Sequence, residues 1–374
     1  MAKHPDVAII GGGIIGLTSA YFLAKEGLSV AVYDQSDFGK EASWAGAGII
    51  PPGNPDRAAT PADKLRGIGS VRFPTFSAEL RELTGIDNGY RLCGGIDFLE
   101  PEDRDVPTVW HAEGIAFERL TLAGAKRLEP LGEVEGEPHL LPACAQVRNP
   151  RHLRALITAC DRVGVRLNAN TGAEAWELGS NRITSVQLAG GERVIAGRFL
   201  LAAGAWSELL LRPLGHRPHV RPVLGQIALL KGPSCSRVLM LGKRYLVPRG
   251  DGLTLIGSTE EPEAGFEKRT TAAGVEELVA FARRTVLPLA DATLETSWAG
   301  LRPGSPDGLP FIGNVPGWDN AFVACGHFRA GVQLSIGTAQ AITELLTGKP
   351  TSVDLAAFAL DRTPDTSTKS AFRS

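Results

Sequence analysis

The chain opens on a wholly apolar quartet, Val7-Ala8-Ile9-Ile10, then a run of glycines, then apolar and small residues from Ile14 to about Lys25. A short strand without a polar position is expected where both faces of a sheet are covered, and Gly27 is placed to end the helix that follows it. Val30-Ala31-Val32-Tyr33 repeats the strand pattern and closes on Asp34, so the first 34 residues predict one βαβ unit. Residues 43–72 are rich in Gly, Pro, Ala and Asp and predict loop with broken helix; a helix is expected from Pro74 to Leu83. Short strands are expected at 94–100 and 115–119, and a short helix from Leu122 to Leu128. Leu153, Leu156, Ile157, Cys160 and Val163 share one face of a helix from Arg151 to Val163. Hairpin-like alternation runs from Gly172 to Ile195 around a Gly190-Gly191 turn, and Phe199 to Ala203 forms another buried strand.

Past residue 220 the pattern changes. Four strand-like runs, 224–230, 237–241, 245–248 and 253–257, follow at short spacing and predict an antiparallel sheet. A helix from about Ala272 to Val286, strands near 293–299 and 320–324, and a helix from Gly331 to about Leu346 complete the pattern. No repeat of 20–50 residues is present. Parallel and antiparallel signals alternate along the chain, which implies two interleaved units rather than two in series.

Composition changes this picture in one respect. Glycine supplies 44 of 374 residues, about 12%, where about 7% is usual. That excess calls for tight turns or for main chain lying close to a ligand. The 39 basic and 41 acidic residues give a net charge of −2, which provides no bulk attraction to nucleic acid or to an anionic membrane. Cys93, Cys144, Cys160, Cys235 and Cys325 are scattered and odd in number, so they indicate neither a zinc site nor a disulfide framework. The amino terminus carries no signal-peptide pattern, and no apolar run reaches 18 residues; a cytoplasmic protein is expected.

The first motif with chemistry is Gly11-Gly12-Gly13-Ile14-Ile15-Gly16, between a strand and a helix. Asp34 ends the next strand, 18 residues past Gly16. Strand, glycine turn, helix and acid together make a dinucleotide fingerprint. Gly11 permits the turn, Gly13 lets the backbone approach a pyrophosphate, and Gly16 lets helix and strand pack closely. The helix amino terminus, with Ile14 and Ile15, offers amides and partial positive charge to phosphates, and Asp34 would accept from a ribose hydroxyl. FAD and NAD share this fingerprint. Its position at the start of the chain, the lack of a second motif of this quality, and the strand ending in Ala202-Ala203-Gly204-Ala205-Trp206-Ser207 favour FAD.

With those segments in place, the chain resembles the D-amino acid oxidase superfamily of FAD-dependent oxidoreductases, and within it the glycine oxidase group associated with thiamine biosynthesis. The resemblance also rests on Trp298 to Gly313 (WAGLRPGSPDGLPFIG), on Gly326-His327-Phe328-Arg329-Ala330-Gly331, and on Tyr245-Leu246-Val247-Pro248 followed by Ile256-Gly257-Ser258-Thr259. It implies an α/β fold in which a Rossmann-like FAD-binding domain (1–85, 146–218 and 305–365) is interleaved with an α+β substrate domain on an antiparallel sheet (86–145 and 219–304), followed by a tail at 366–374. It also implies that Ser43, Ala45, Ala47 and Gly48 lie beside the isoalloxazine, that Ala203, Gly204 and Trp206 form a second cofactor-contacting segment, and that His327, Arg329, Ala330, Gly331 and Val332 face the flavin at the start of the last helix. His327 is open to an acid–base role or to holding its loop by hydrogen bonds.

Arg302, Tyr245 and Arg329 are the substrate candidates. Arginine holds a carboxylate through two parallel hydrogen bonds. The resemblance assigns the substrate carboxylate to Arg302, with Tyr245 donating to the same group and Arg329 nearby. The chain departs from the pattern at Ala330, where Asn is common, and at Glu260, where a pocket methionine is familiar. No cysteine stands where monomeric sarcosine oxidases tether their flavin, so non-covalent FAD is expected. The implied reaction is oxidative deamination of glycine or a small amino acid, with hydride passing from Cα to flavin N5 and oxygen or another acceptor taking the electrons. A D-amino acid or sarcosine-type oxidase or dehydrogenase, and an FAD-dependent tRNA-modifying protein, are the alternatives. No nucleic-acid partner is expected, no metal site is expected, and a homo-oligomer is left open.

Overall fold

The computed structural model describes residues 4–364, so the tail expected at 366–374 lies outside the described residues. Its first sheet has six strands, in the spatial order Phe311–Asn314, Ala321–Cys325, Arg198–Leu201, Val7–Ile10, Val30–Tyr33 and Arg166–Asn168. All neighbours run parallel except Phe311–Asn314, which pairs antiparallel with Ala321–Cys325. Val7–Ile10 is fully buried at the centre. From it the chain moves to one side through Val30–Tyr33 and later to the other through Arg198–Leu201. A crevice opens at the strand ends where the winding reverses.

Four helices cover one face of this sheet: Ile14–Lys25, Pro61–Thr84, Asn149–Arg162 and Gly331–Leu346, which share one hydrophobic core. The hairpin Ala173–Leu178/Ile183–Leu188, with Arg193–Val194, covers the other. The expected turn at Gly190-Gly191 joins Ile183–Leu188 to Arg193–Val194, with positive φ at both glycines.

The expected loop with broken helix is observed over residues 43–60 and is corrected from Pro61 onward, where the helix expected from Pro74 already begins. A single 24-residue helix spans Pro61–Thr84 with Pro74 inside it. Thr60 caps its start by accepting from the Asp63 amide, and Pro61 takes the first turn, where no amide is missed. The residues read as loop formers serve packing instead. A Cβ on Gly69 would fall 1.9 Å from the Gln333 carbonyl oxygen, and one on Gly337 would fall 2.4 Å from that of Leu65. Glycine here lets two helices touch backbone to backbone. The helix Val106–Glu113 and the strands Glu137–Leu141 and Phe311–Asn314 escaped the pattern reading, because prolines and glycines interrupt short apolar runs.

The second large sheet has eight strands: Thr293–Gly304, Arg221–Lys231, Leu253–Gly257, Arg244–Pro248, Val238–Leu241, Gly95–Leu99, Glu137–Leu141 and Glu118–Arg119. It is antiparallel except where Val238–Leu241 runs parallel to Gly95–Leu99. That pair joins segments far apart in sequence, so no hairpin dictates its direction. The helix Ala272–Thr285 packs on the sheet through Val275, Leu278, Phe281 and Ala282. Among the described residues no helix is long and apolar enough to cross a membrane.

The close helix pair generates a stability prediction. Gly69→Ala forces the new methyl into a backbone carbonyl and should lower unfolding free energy by about 1–3 kcal/mol. The exposed neighbour Val71→Ala should stay within about 0.5 kcal/mol of the parent. Urea unfolding of the two variants checks this; equal stabilities would mean that the helices are not in contact there.

Candidate active site

One cavity of about 520 Å³ lies at the carboxyl ends of the parallel strands and runs to the face of the eight-stranded sheet. Every site residue expected from sequence lines it except Gly16. Gly16 acts one layer back: a Cβ there would fall 1.9 Å from the Gly11 carbonyl oxygen, so it sets how closely the first helix sits on the glycine turn.

At the turn, Gly11 has φ +113°, and a Cβ on it would fall 2.3 Å from the Ala202 carbonyl oxygen. Only glycine fits in that conformation and at that distance. The Ala202 amide in turn donates to Ile10 (2.8 Å), which fixes the approach of Ala203, Gly204 and Trp206 to the same cavity. Gly13 precedes the helix without a side-chain cap, and the Ile14 amide donates to Ser43 Oγ at 2.9 Å. The following amides have no intrahelical acceptor, and Ile14 and Ile15 line the cavity. Asp34 accepts from the amides of Gly12 (2.7 Å) and Ser36 (2.9 Å). Burial pushes its pKa up, against the pull of these hydrogen bonds. The acid thus clamps the glycine turn to the second strand while still facing the cavity. A glycine cradle that a Cβ would fill, free helix amides and an acid at the far end fit an adenine dinucleotide.

The middle of the cavity is lined by Ala45, Ala47 and Gly48. Gly48 has φ +72°, and a Cβ would lie 2.1 Å from the Val147 carbonyl oxygen. Trp298 Nε1 donates to the Ala45 carbonyl at 3.1 Å. Arg249, which no motif marked, donates to the Ala47 carbonyl at 2.8 Å and to Gln146 Oε1 at 3.0 Å. Burial, aided by the neighbouring Arg148, lowers its pKa to about 10. Arg249 follows a strand end without any surrounding pattern, so only the fold reveals that it fastens this small-residue segment.

At the sheet end, Arg302 lies on Thr293–Gly304 and its guanidinium passes over the neighbouring strand at Gly225, where a Cβ would be 2.3 Å from Nη1 and Nη2. Tyr245 lies over Gly257 in the same manner, with its ring 2.4 Å from where a Cβ would sit. A glycine inside a strand marks such a close approach; Gly225 and Gly257 were the available signal for these two side chains. Arg302 is held from behind by neutral acceptors, Ser258 Oγ at 2.5 Å and the Thr259 carbonyl at 3.3 Å. The other arginines lining the cavity are matched by carboxylates: Arg66 by Asp63, Arg244 by Glu277 and Arg329 by Glu260. Arg302 has no ion pair among the described residues.

The turn before the last helix completes the wall with His327, Arg329, Ala330, Gly331 and Val332. His327 is buried, its Nε2 lies 3.0 Å from Thr338 Oγ1, and burial lowers its pKa to about 3. Of the two roles left open, this geometry favours holding the loop to the helix, with a neutral ring. The Phe328 amide donates to the Pro303 carbonyl at 3.0 Å, which seats the turn beside Arg302. Among the described residues no cluster of side chains could hold a metal ion.

The model of the FAD dependent oxidoreductase family (DAO) matches residues 6–345. The glycine oxidase of Pseudomonas putida is 38% identical over 95% of this chain and 98% of its own. The bifunctional protein ThiO/ThiG of Synechocystis sp. is 33% identical over 97% of this chain and 54% of its own. The crystal structure of glycine oxidase from Geobacillus kaustophilus superposes with a TM-score of 0.90 at 32% identity, covering 97% of this chain and all of that one. The chain belongs to the FAD-dependent oxidoreductases of the DAO family.

The purified protein should be yellow, and acid or heat should release free FAD. Cys325 is the one cysteine lining the cavity among the described residues, and burial pushes its thiol up to about 12, leaving it protonated. Flavin retained by the denatured chain would contradict this. Gly13→Val should abolish flavin retention: a Cβ there already stands 3.1 Å from Ser43 Oγ, and a branched side chain would fill the cradle. Absorbance at the flavin bands after gel filtration reads the loss.

His327 predicts a pH dependence. The unfolded chain takes up this proton near pH 6.5, the folded chain only near 3. Between those values the unfolded state binds more protons, so stability falls as pH drops, by up to about 1.4 kcal/mol per pH unit for this group. His152, buried and lowered to about 4, acts in the same sense. Urea unfolding between pH 6.5 and 4.5 should show the slope, and His327→Gln should reduce it.

Proposed function

We propose that this chain oxidises glycine or another small amino acid carrying one carboxylate, giving the imine, which takes up water to yield the oxo acid and ammonia while oxygen is reduced to hydrogen peroxide. The observation that carries this reading is Arg302: a charged guanidinium reaching the cavity, held in place by neutral acceptors and left without a carboxylate of its own. A ligand carboxylate supplies the missing countercharge with two parallel hydrogen bonds. Tyr245, laid flat over Gly257, stands on the same face of the sheet cluster and closes the pocket around that carboxylate. The family resemblance and the names of the relatives support glycine as substrate and a place in thiamine biosynthesis.

Bound FAD supplies the two-electron acceptor. The chain's own contribution is positioning, which is worth a large share of the rate when reacting groups are held in alignment. Arg302 anchors one end of the substrate, and the small residues Ala45, Ala47 and Gly48 leave room for a flat ring. Helix amides at residues 331 onward present partial positive charge to the cavity. The neutral His327 keeps that turn in place without contributing a charge. The division into FAD-binding and substrate domains, with the boundaries given above, belongs to the same proposal; the parallel and the largely antiparallel sheet support it. A cytoplasmic setting and oxygen as the acceptor belong to the same proposal.

Glycine, sarcosine or a small D-amino acid should bleach the flavin under anaerobic conditions without any nicotinamide. Reduction by NADH or NADPH alone would overturn the reading. Arg302→Ala removes a charge-assisted contact of roughly 1.5–3 kcal/mol, so kcat/KM should fall at least about ten- to a hundredfold. The loss should appear mainly in KM, with FAD content unchanged and with poorer discrimination between an amino acid and its simple amine. Near-parental kinetics would transfer the anchor to Arg329.

A further inference from the structure

Three consecutive residues after the strand Leu253–Gly257 arm two arginines. Ser258 Oγ and the Thr259 carbonyl hold Arg302, and the Glu260 carboxylate lies 3.5 Å from Arg329 Nη1. Glu260 also pairs with Lys243 Nζ at 3.0 Å, and the Lys243 carbonyl accepts from Arg329 Nη2 at 2.7 Å. Arg329 is thereby held on two sides, with 17% of its side chain exposed, while it still lines the cavity that Arg302 enters. The two arginines are neighbours because the Phe328 amide bonds the Pro303 carbonyl, one residue beyond Arg302. Burial raises the Glu260 carboxyl, but the Lys243 hydrogen bond and the charges of Arg329, Lys243 and Arg302 more than offset it, so it stays ionised at neutral pH.

We propose that Glu260 is a specificity-determining residue: by occupying Arg329 it confines the cavity to substrates with one carboxylate, and in its absence Arg329 becomes the anchor for a second. This rests on the reading of Arg302 as the first anchor. Glu260 does not itself line the cavity, so it acts through Arg329: its carboxylate matches from outside the charge that a second substrate carboxylate would otherwise meet at the cavity wall. Arg244, also at the cavity, keeps its own partner Glu277 and is not released by loss of Glu260. The substrate class opened would be amino diacids such as iminodiacetate, in which one nitrogen joins two carboxylate arms.

The experiment titrates the yellow protein with acetate and with malonate and reads the perturbation of the flavin absorption band. In the parent, malonate should bind no more tightly than acetate. In Glu260→Gln the malonate Kd should fall about tenfold while that of acetate moves less than about threefold, as a new charge-assisted contact requires. Iminodiacetate turnover relative to glycine should rise in parallel. Glu260→Met, which also cannot pair, carries the same expectation should the amide variant fold poorly. Adding Arg329→Gln to either variant should cancel the gain. An unchanged malonate-to-acetate ratio, a gain that survives loss of Arg329, or a parent that already prefers malonate tenfold would each overturn the inference. If acetate binds the parent but not Arg302→Ala, the underlying reading stands whatever Glu260 does. If acetate never perturbs the parent, that reading fails and this one with it.

Discussion

Everything at this site depends on backbone being allowed to touch backbone. The Gly11 turn sits against the Ala202 carbonyl, and Gly16 sits against the carbonyl of Gly11. These two contacts draw the first helix, the first strand and the segment after Arg198–Leu201 into one corner. A single added methyl at either position would need more than an ångström of separation. That separation would open the cradle and turn the helix amides away from the cavity. The same device recurs where the two helices Pro61–Thr84 and Gly331–Leu346 meet, and where side chains cross the second sheet at Gly225 and Gly257. Part of the glycine excess thus serves the contacts that shape one cavity and its supports, and another part serves turns with positive φ.

Charge is distributed with equal economy. Burying several arginines around one space is costly unless each is matched. Asp63, Glu277 and Glu260 match three of them, and the Arg249 guanidinium is satisfied by the carbonyls and amide oxygen around it. Arg302 is fixed in position by neutral acceptors, which leaves its charge for a ligand. A partner carboxylate from the protein would have stabilised the empty cavity and weakened the full one. The arrangement accepts some cost in the folded chain for selectivity in binding, a trade that functional sites commonly make.

Much of this was legible in the sequence, and for identifiable reasons. Val7 to Asp34 carries strand, turn, helix and acid in a single local pattern, and the structure reproduces it. The helix Gly331–Leu346 and the four strands after residue 220 carry equally local signals. Reading failed where one residue type serves two ends. Gly67, Gly69 and Pro74 look like helix breakers, yet the helix Pro61–Thr84 runs through them because its glycines pack against Asn54, Pro55 and Gln333. Thr60-Pro61-Ala62-Asp63 was a helix-start signal that the surrounding composition obscured. Arg249, Gln146 and the partnership of Glu260 with Arg329 have no local pattern at all. They join residues tens to more than a hundred positions apart, and only the folded sheet brings them together.

The loop Ser258-Thr259-Glu260 shows why the two arginines cannot be treated as independent. Their supports are consecutive residues on one short piece of backbone, and that backbone is tied back to the second sheet where Thr259 Oγ1 accepts from the Gln226 amide at 2.9 Å. A shift that relaxes Glu260 also moves the carbonyl of Thr259 and the hydroxyl of Ser258, so changes at one arginine are expected to be felt at the other. Gln226 extends the coupling outward, since its side chain bonds both Glu261 and the Thr271 amide that precedes the helix Ala272–Thr285. Substrate contact, charge selection and the packing of that helix thus share one hydrogen-bonded segment. A sheet whose strand interiors are opened by glycines offers few other rigid places from which to hang two long, charged side chains, and the concentration of both supports on one loop follows from that scarcity.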